Sequence, residues 1–124
     1  MLLINNVHNI FYLGLASSGG AVALSVLAGV ATRTLMGRKE ETLEMALAAK
    51  RLYNSGNPDL TYYEQGMDTS IIDDLSKRGH RLSPVPALGK VNGVFCSTGV
   101  PSEKDLSCSM QPDPRGFGLA AGAE

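Results

Sequence analysis

Residues 13–21 read Leu-Gly-Leu-Ala-Ser-Ser-Gly-Gly-Ala and join a β-prone apolar segment to a predicted helix over Ala21–Met36. At Gly19 and Gly20 the backbone N–H groups carry no neighbouring side chain to shield them. Free amides and the positive end of a helix point the same way, so such a turn can stabilise a negatively charged oxygen. That is the physical requirement of an oxyanion hole. The pattern taken alone is more often an ordinary strand-to-helix turn, in which a small-residue loop over 14–20 leads into the helix and a serine caps it.

The same letters permit two other catalytic interpretations. A phosphate-binding P-loop needs Lys and then Ser or Thr after its last glycine, but Ala21 and Val22 follow here, which excludes it. A serine-hydrolase elbow reads Gly-x-Ser-x-Gly, and this stretch approximates it with Ala16 in the first position. Ser18 would then be the nucleophile and His80 its base. That fold needs more strands than 124 residues provide, so the serine hydrolase is the weaker alternative.

Composition removes several classes of function. Lys and Arg total 11 and Asp and Glu total 12, which leaves a formal net charge of -1. A chain so nearly neutral has no electrostatic reason to bind nucleic acid or an anionic membrane. Residues 1–32 contain no charged side chain, but their longest uninterrupted apolar piece, Ala21–Ala31, is shorter than the roughly 20 residues that a membrane span needs. We therefore expect this region to form the interior of a soluble fold.

The rest of the chain predicts short strands and helices. In chain order they are a hairpin of Leu2–Ile4 and Ile10–Leu13, a helix over Glu40–Tyr53, a strand over Leu60–Glu64, a helix over Thr69–Arg78 capped by Asp68, and two paired strands over Val91–Cys96 and Leu106–Met110. Strands and helices at this density indicate an α/β layered fold. The first hairpin and the helix over Ala21–Met36 are apolar nearly all round, so we expect both to be covered, in part by residues outside this chain.

Cysteine and histidine leave few possibilities for metal chemistry. Cys96 and Cys108 lie on the two arms of a predicted hairpin, where a cross-strand disulfide and two buried free thiols are both compatible with the sequence. A zinc site that used these cysteines with His8 and His80 would lack a closely spaced ligand pair, so no metal site is expected.

The order of landmarks resembles the γ-glutamyltranspeptidase family. The landmarks are the Ala16–Gly20 turn, Ala48–Leu52, Tyr63-Glu64, Gly79-His80, Leu88–Val91, and Asp113-Pro114-Arg115 followed by a terminal Gly- and Ala-rich segment. The likeness runs over nearly the whole chain and matches the C-terminal half of the family's small subunit. Ala16 replaces the more usual Gly of the turn, and Lys50 stands where Pro is common. On this resemblance residues 1–124 are a single partial domain.

The resemblance implies an N-terminal-nucleophile hydrolase with an αββα sandwich, incomplete in this chain. It implies that γ-glutamyl amides such as glutathione are cleaved and the γ-glutamyl group passes to water or amino acids. Gly19 and Gly20 match the oxyanion-hole positions, and Ser18 is a weaker candidate for substrate contact. No cofactor is implied. The nucleophilic Thr, the rest of the small subunit and the large subunit of the precursor would be the partners, at the cell surface or outside the cell.

Two interpretations of function follow from the resemblance. In the first, the chain is part of a glutathione hydrolase and is inactive by itself, because the nucleophile lies upstream. In the second, it is a non-catalytic module, either truncated or degenerate. Asp113 and Arg115 are expected to form a local ion pair that clasps the C-terminal region in either case.

Overall fold

Two β-sheets and three helices make up the part of the chain that the computed structural model describes, residues 1–38, 40–101 and 108–121. The elements are β1 (Leu2–Asn5), β2 (Ile10–Ser18), α1 (Ala23–Met36), α2 (Leu43–Ala48), β3 (Leu52–Asn54), β4 (Thr61–Glu64), α3 (Thr69–Lys77), β5 (Leu82–Val85), β6 (Lys90–Val100) and β7 (Cys108–Gln111). A single turn of 3₁₀ helix, Gly20–Val22, precedes α1. The mixed α/β class predicted from the sequence is confirmed.

The larger sheet has four antiparallel strands in the order β1-β2-β6-β7. Both hairpins predicted from the sequence are present in it, since β1 pairs with β2 and β6 with β7. Residues 106 and 107 of the predicted strand Leu106–Met110 lie outside the described residues. Cys96 lies opposite Cys108 in the second hairpin, and the two are joined as a disulfide. The alternative of two free thiols is therefore wrong.

The strand β2 is longer than predicted, and this corrects the expected loop over residues 14–20. β2 continues through Ser18, so the turn shrinks to Gly19 and Gly20. Gly14 lies buried in the sheet, where a Cβ would stand 3.1 Å from Val94 Cγ1. The expected serine cap is also wrong, because the residue before the 3₁₀ turn is Gly19 and no side chain caps it. Gly14 thus allows the strands to pack closely, whereas Gly19 and Gly20 form the turn.

The helix predicted over Glu40–Tyr53 lasts only from Leu43 to Ala48. Thr42 caps its start, where Oγ1 accepts a hydrogen bond from Met45 N at 3.2 Å. Its end is set by tertiary contacts that override helix propensity, because the following residues turn into β3 and pair with β4.

The smaller sheet is completed by β5, which lies parallel to β4 at the edge of the sheet. The sequence did not predict β5, because Pro84 interrupts it.

Two other predicted elements are confirmed. The strand predicted over Leu60–Glu64 forms β4, and the predicted helix over Thr69–Arg78 forms α3. Asp68 caps α3, where its Oδ1 accepts a hydrogen bond from Ser70 N at 2.8 Å. Local sequence signals are therefore sufficient to predict β4 and α3.

The core lies between the larger sheet and helices α1 and α2. It consists of Leu13, Leu15, Val26, Val30, Ala31, Leu43, Ala46, Leu47 and Val91. Leu24 of α1 is 79% exposed and Leu2 of β1 69%, so this chain by itself leaves part of both elements uncovered. Their cover by residues outside this chain stays a prediction. Within the described residues no helix combines the length and hydrophobicity that crossing a membrane requires.

Candidate active site

The turn at Gly19 and Gly20 joins the end of β2 to the helical segment, and its backbone favours glycine at both positions. The φ angles are 142° and 58°, in the region that side chains disfavour. A Cβ on Gly19 would lie 2.9 Å from the Cα of Gly89, so the two backbones are in direct contact. A Cβ on Gly20 would meet no atom within 4 Å. The turn is therefore tightly packed on one side and open on the other.

The amides of this turn are available to a ligand. Gly19 and Gly20 are both exposed, and among the described residues neither of their N–H groups has a hydrogen-bond acceptor. The first amides of a helical segment have no partner within the segment. Two free N–H groups at the start of a helical segment can together stabilise a negative oxygen.

An open cavity of about 310 Å³ begins one residue before the turn. Its walls are the ends of β2 and β6 together with residues between Asp113 and Gly118. In the register of the two strands Ser18 lies opposite Lys90, and two residues back along β2 Ala16 lies opposite Asn92. The cavity therefore lies along the paired ends of β2 and β6, and its lining reaches Ser18, the residue directly before the turn.

A cluster of four charged side chains adjoins the cavity at Asp113, and we call it the ionic cluster: Arg51, Glu64, Asp113 and Arg115. Arg51 Nη2 donates to Asp113 Oδ2 at 2.7 Å, and Arg115 Nη2 donates to Glu64 Oε2 at 2.5 Å. Arg115 Nη1 also lies 3.3 Å from Asp113 Oδ1, which confirms the predicted local ion pair. The four side chains are each exposed by 10% or less. The cluster is thus a buried network of two cations and two anions.

The charges of the ionic cluster hold one another in the ionised state. Burial alone would raise the pKa of Glu64, but hydrogen bonds from Arg115 and from the amides of Leu88 and Arg51 hold that pKa below its ordinary value. Burial opposes ionisation of Asp113 too, while the Arg115 amide and the Arg51 side chain hold its pKa low. Burial also acts to lower the pKa of Arg115, and the two carboxylates raise it instead.

The ionic cluster also positions the glycine turn, because it holds the segment that Gly19 packs against. Arg51 Nη1 donates to the carbonyl oxygens of Leu88 at 2.9 Å and of Gly89 at 3.1 Å. The Leu88 amide donates to Glu64 Oε1 at 2.7 Å. Fixing Leu88 and Gly89 fixes the wall on which the turn rests, so the cluster helps to position the two amides.

The serine-hydrolase alternative gains no support from the geometry. Ser18 is exposed at the end of β2, whereas His80 is exposed in the turn between α3 and β5. In the described part of the chain no hydrogen bond joins the two side chains. His8 lies on the surface of the β1–β2 turn, and no group of three metal-binding side chains occurs among the described residues.

Comparison with known proteins gives the family. The model of the γ-glutamyltranspeptidase family matches residues 1–123. The chain belongs to the γ-glutamyltranspeptidase family. No curated protein sequence matches it.

Solved structures of γ-glutamyltranspeptidases share the fold. A mutant of the Helicobacter pylori enzyme superposes with a TM-score of 0.79 at 24% identity, over 94% of this chain and 59% of that one. The Pseudomonas nitroreducens enzyme complexed with L-DON gives 0.78 at 22% identity, over 100% and 61%. The transpeptidase CapD of Bacillus anthracis gives 0.75 at 18% identity, over 99% and 68%. The predicted N-terminal-nucleophile hydrolase fold is confirmed, and the chain spans about three fifths of the first two structures.

Two members of the ionic cluster were not assigned a role from the sequence. Arg51 and Glu64 stand in segments that resemble family landmarks, but their partners lie 62 and 51 residues further along the chain. Neither the hydrophobic periodicity nor the spacing of motifs can predict ion pairs between residues so far apart in the sequence. The signal in the sequence was only that both residues are charged and stand within landmarks of the family.

Proposed function

We propose that this chain supplies the oxyanion-stabilising amides of a γ-glutamyltransferase that cleaves γ-glutamyl amides such as glutathione. The observation that carries the proposal is the pair of exposed N–H groups at Gly19 and Gly20, which have no acceptor in the described part of the chain and lie beside an open cavity. Family membership supplies the reaction class, and the turn supplies a chemical role within it. The γ-glutamyl group is passed to water or to an amino acid.

In this proposal a threonine outside residues 1–124 attacks the γ-glutamyl carbonyl carbon. The carbonyl oxygen then gains negative charge, and the amides of Gly19 and Gly20 donate hydrogen bonds to it. Donors fixed before the reaction stabilise that charge without rearranging, and one such donor contributes about 3 kcal/mol. Ser18, exposed next to the turn, contacts the substrate. The remaining small-subunit residues and the large subunit complete the site, so the chain alone does not turn over substrate.

The test uses the complete enzyme, in which this chain is joined to the segment that carries the threonine. We expect release of a chromophore from γ-glutamyl-p-nitroanilide, and we expect Gly20→Ala to lower kcat by up to about 100-fold, because the added methyl group keeps the carbonyl oxygen from the amides. The fold should persist, since a Cβ at position 20 meets no atom within 4 Å.

Gly56→Ala is the matched control. Gly56 also has a positive φ, of 84°, and open space around it, but it lies in the turn between β3 and β4. Equal kcat values for the two variants would contradict the role of Gly20. A complete enzyme that has its threonine and cleaves no γ-glutamyl amide would favour the non-catalytic module instead.

A further inference from the structure

One face of β6 carries two hydrogen-bond donors into the cavity beside the glycine turn. Lys90 and Asn92 are two residues apart on the strand and both line the cavity, while Val91 between them is fully buried in the core. Alternate residues of a strand point to the same side. The Asn92 side-chain oxygen accepts the Asp113 amide at 3.0 Å, which leaves its NH₂ group for another partner.

The charge of this cavity is positive. In the described part of the chain the Lys90 ammonium group takes part in no ion pair. Asp113 is the one carboxylate among the described residues that line the cavity. Its Oδ2 is occupied by Arg51 and by the Val91 amide, and its Oδ1 by Arg115. Among the described lining residues, therefore, no carboxylate is left over to neutralise Lys90.

The Lys90 side chain lies close to the reacting centre of the proposed reaction. Lys90 is paired with Ser18 across the sheet, and Ser18 directly precedes Gly19. Side chains on directly paired residues start about 5 Å apart. The aliphatic part of Lys90 runs along Gly116, where a Cβ would lie 3.5 Å from Lys90 Cδ. A glycine at that position leaves the ammonium group a path along the cavity wall.

We propose that Lys90, assisted by the amide of Asn92, binds a carboxylate on the amine side of the scissile γ-glutamyl bond. The enzyme would then prefer γ-glutamyl amino acids and peptides over uncharged γ-glutamyl amides. Because the accepting amine enters where the leaving amine departs, the same cation favours amino acids as acceptors. The assignment rests on the proposed function, since it takes Gly19 and Gly20 as the position of the carbonyl oxygen.

The experiment compares two donors that differ only in charge, γ-glutamylglycine and γ-glutamylglycinamide, with the complete enzyme. We expect Lys90→Gln to lower the ratio of their kcat/KM values, glycine over glycinamide, about tenfold, as for loss of a hydrogen bond between charged groups. Lys90→Arg should keep most of the preference. Raising the salt concentration should weaken the preference in the parent enzyme and have little effect in Lys90→Gln, because an exposed charge is screened.

Lys77→Gln is the control, because it removes an exposed lysine from α3, away from the cavity. An unchanged ratio in Lys90→Gln, or an equal loss for both donors, would overturn the assignment while cleavage itself upholds the proposed function. A parent enzyme that cleaves neither donor would overturn the proposed function and the role of Lys90 with it.

Discussion

At the scale of single residues, the contact between Gly19 and Gly89 decides what the turn tolerates. A methyl group at Gly19 would lie 2.9 Å from the Gly89 Cα and 3.0 Å from Val22 Cγ2. The φ of 142° adds backbone strain for any residue with a side chain. We expect Gly19→Ala to lower the free energy of unfolding by about 3 kcal/mol, from strain and overpacking together.

Urea denaturation of the complete enzyme measures this loss. Gly56→Ala, which has a positive φ but no neighbour within 4 Å, should lose only about 1 kcal/mol. Equal losses in the two variants would show that the contact with Gly89 contributes nothing. The comparison also separates Gly19 from Gly20, since Gly20→Ala, like Gly56→Ala, should lose only about 1 kcal/mol of stability while it lowers turnover.

The sequence identifies residues whose role depends on their immediate neighbours. The glycine doublet and the Asp113–Arg115 pair are both predicted from adjacent letters, and the ion pair is confirmed. The sequence does not reveal that Asp113 also binds Arg51, because that contact depends on how the sheets are arranged. The oxyanion role of the doublet stays a prediction, since exposure and free amides make it possible without testing it.

At the scale of elements, α2 links the core to the ionic cluster. Its start is capped by Thr42. At its end the carbonyl oxygen of Leu47 accepts two hydrogen bonds, from Arg51 Nη2 at 3.1 Å and from Arg115 Nη1 at 2.7 Å. The carbonyl oxygen of Ala49 accepts a hydrogen bond from Arg115 Nη2 at 2.9 Å. The last carbonyls of a helix need such partners, so the helix ends where the two arginines meet it.

We expect Thr42→Ala to lower the free energy of unfolding by about 1 kcal/mol, because the Met45 amide loses its acceptor. Thr32→Ala is the control, since Thr32 is exposed in the middle of α1 and caps nothing. The measurement is chemical denaturation of both variants beside the parent protein. A loss in Thr32→Ala as large as that in Thr42→Ala would rule out the cap as the cause.

Elements with their own local signals were predictable, and elements defined by a distant partner were not. The cap at Asp68 and the periodicity after it predict α3 correctly. By contrast, β5 exists because it pairs with β4 despite a proline. The helix predicted over Glu40–Tyr53 stops early for the same reason, since its last residues pair with β4 as β3. Pairing across a sheet is not visible in the pattern of one segment.

At the scale of the whole molecule, the ionic cluster connects the two sheets. Arg51 directly precedes β3 and Glu64 ends β4, both in the smaller sheet. Asp113 and Arg115 follow β7 of the larger sheet. Removing one partner from such a buried group costs about 3–5 kcal/mol, because the remaining charge is left without compensation. Relative placement of the sheets should therefore depend on the ionised state of the two carboxylates.

This dependence sets how the stability changes with pH. Glu64 and Asp113 have pKa values below their ordinary values of 4.5 and 3.8, so the unfolded chain binds protons more readily than the folded one. Their stabilisation is fully present above the unfolded values and is lost as pH falls through the lower, folded values. The two carboxylates raise the pKa of Arg115 above its already high ordinary value, so its contribution is lost only in strong alkali.

We therefore expect the free energy of unfolding to be steady near neutral pH and to fall steeply below about pH 4. Asp113→Asn should lose about 3–5 kcal/mol at neutral pH and show a shallower fall in acid, because one of the two titrating carboxylates is gone. Denaturation curves between neutral pH and pH 3 measure both effects. Asp73→Asn, in an exposed position on α3, should keep the full acid dependence. If Asp113→Asn kept it as well, the acid sensitivity would arise elsewhere, and the ionic cluster would not be what couples the two sheets.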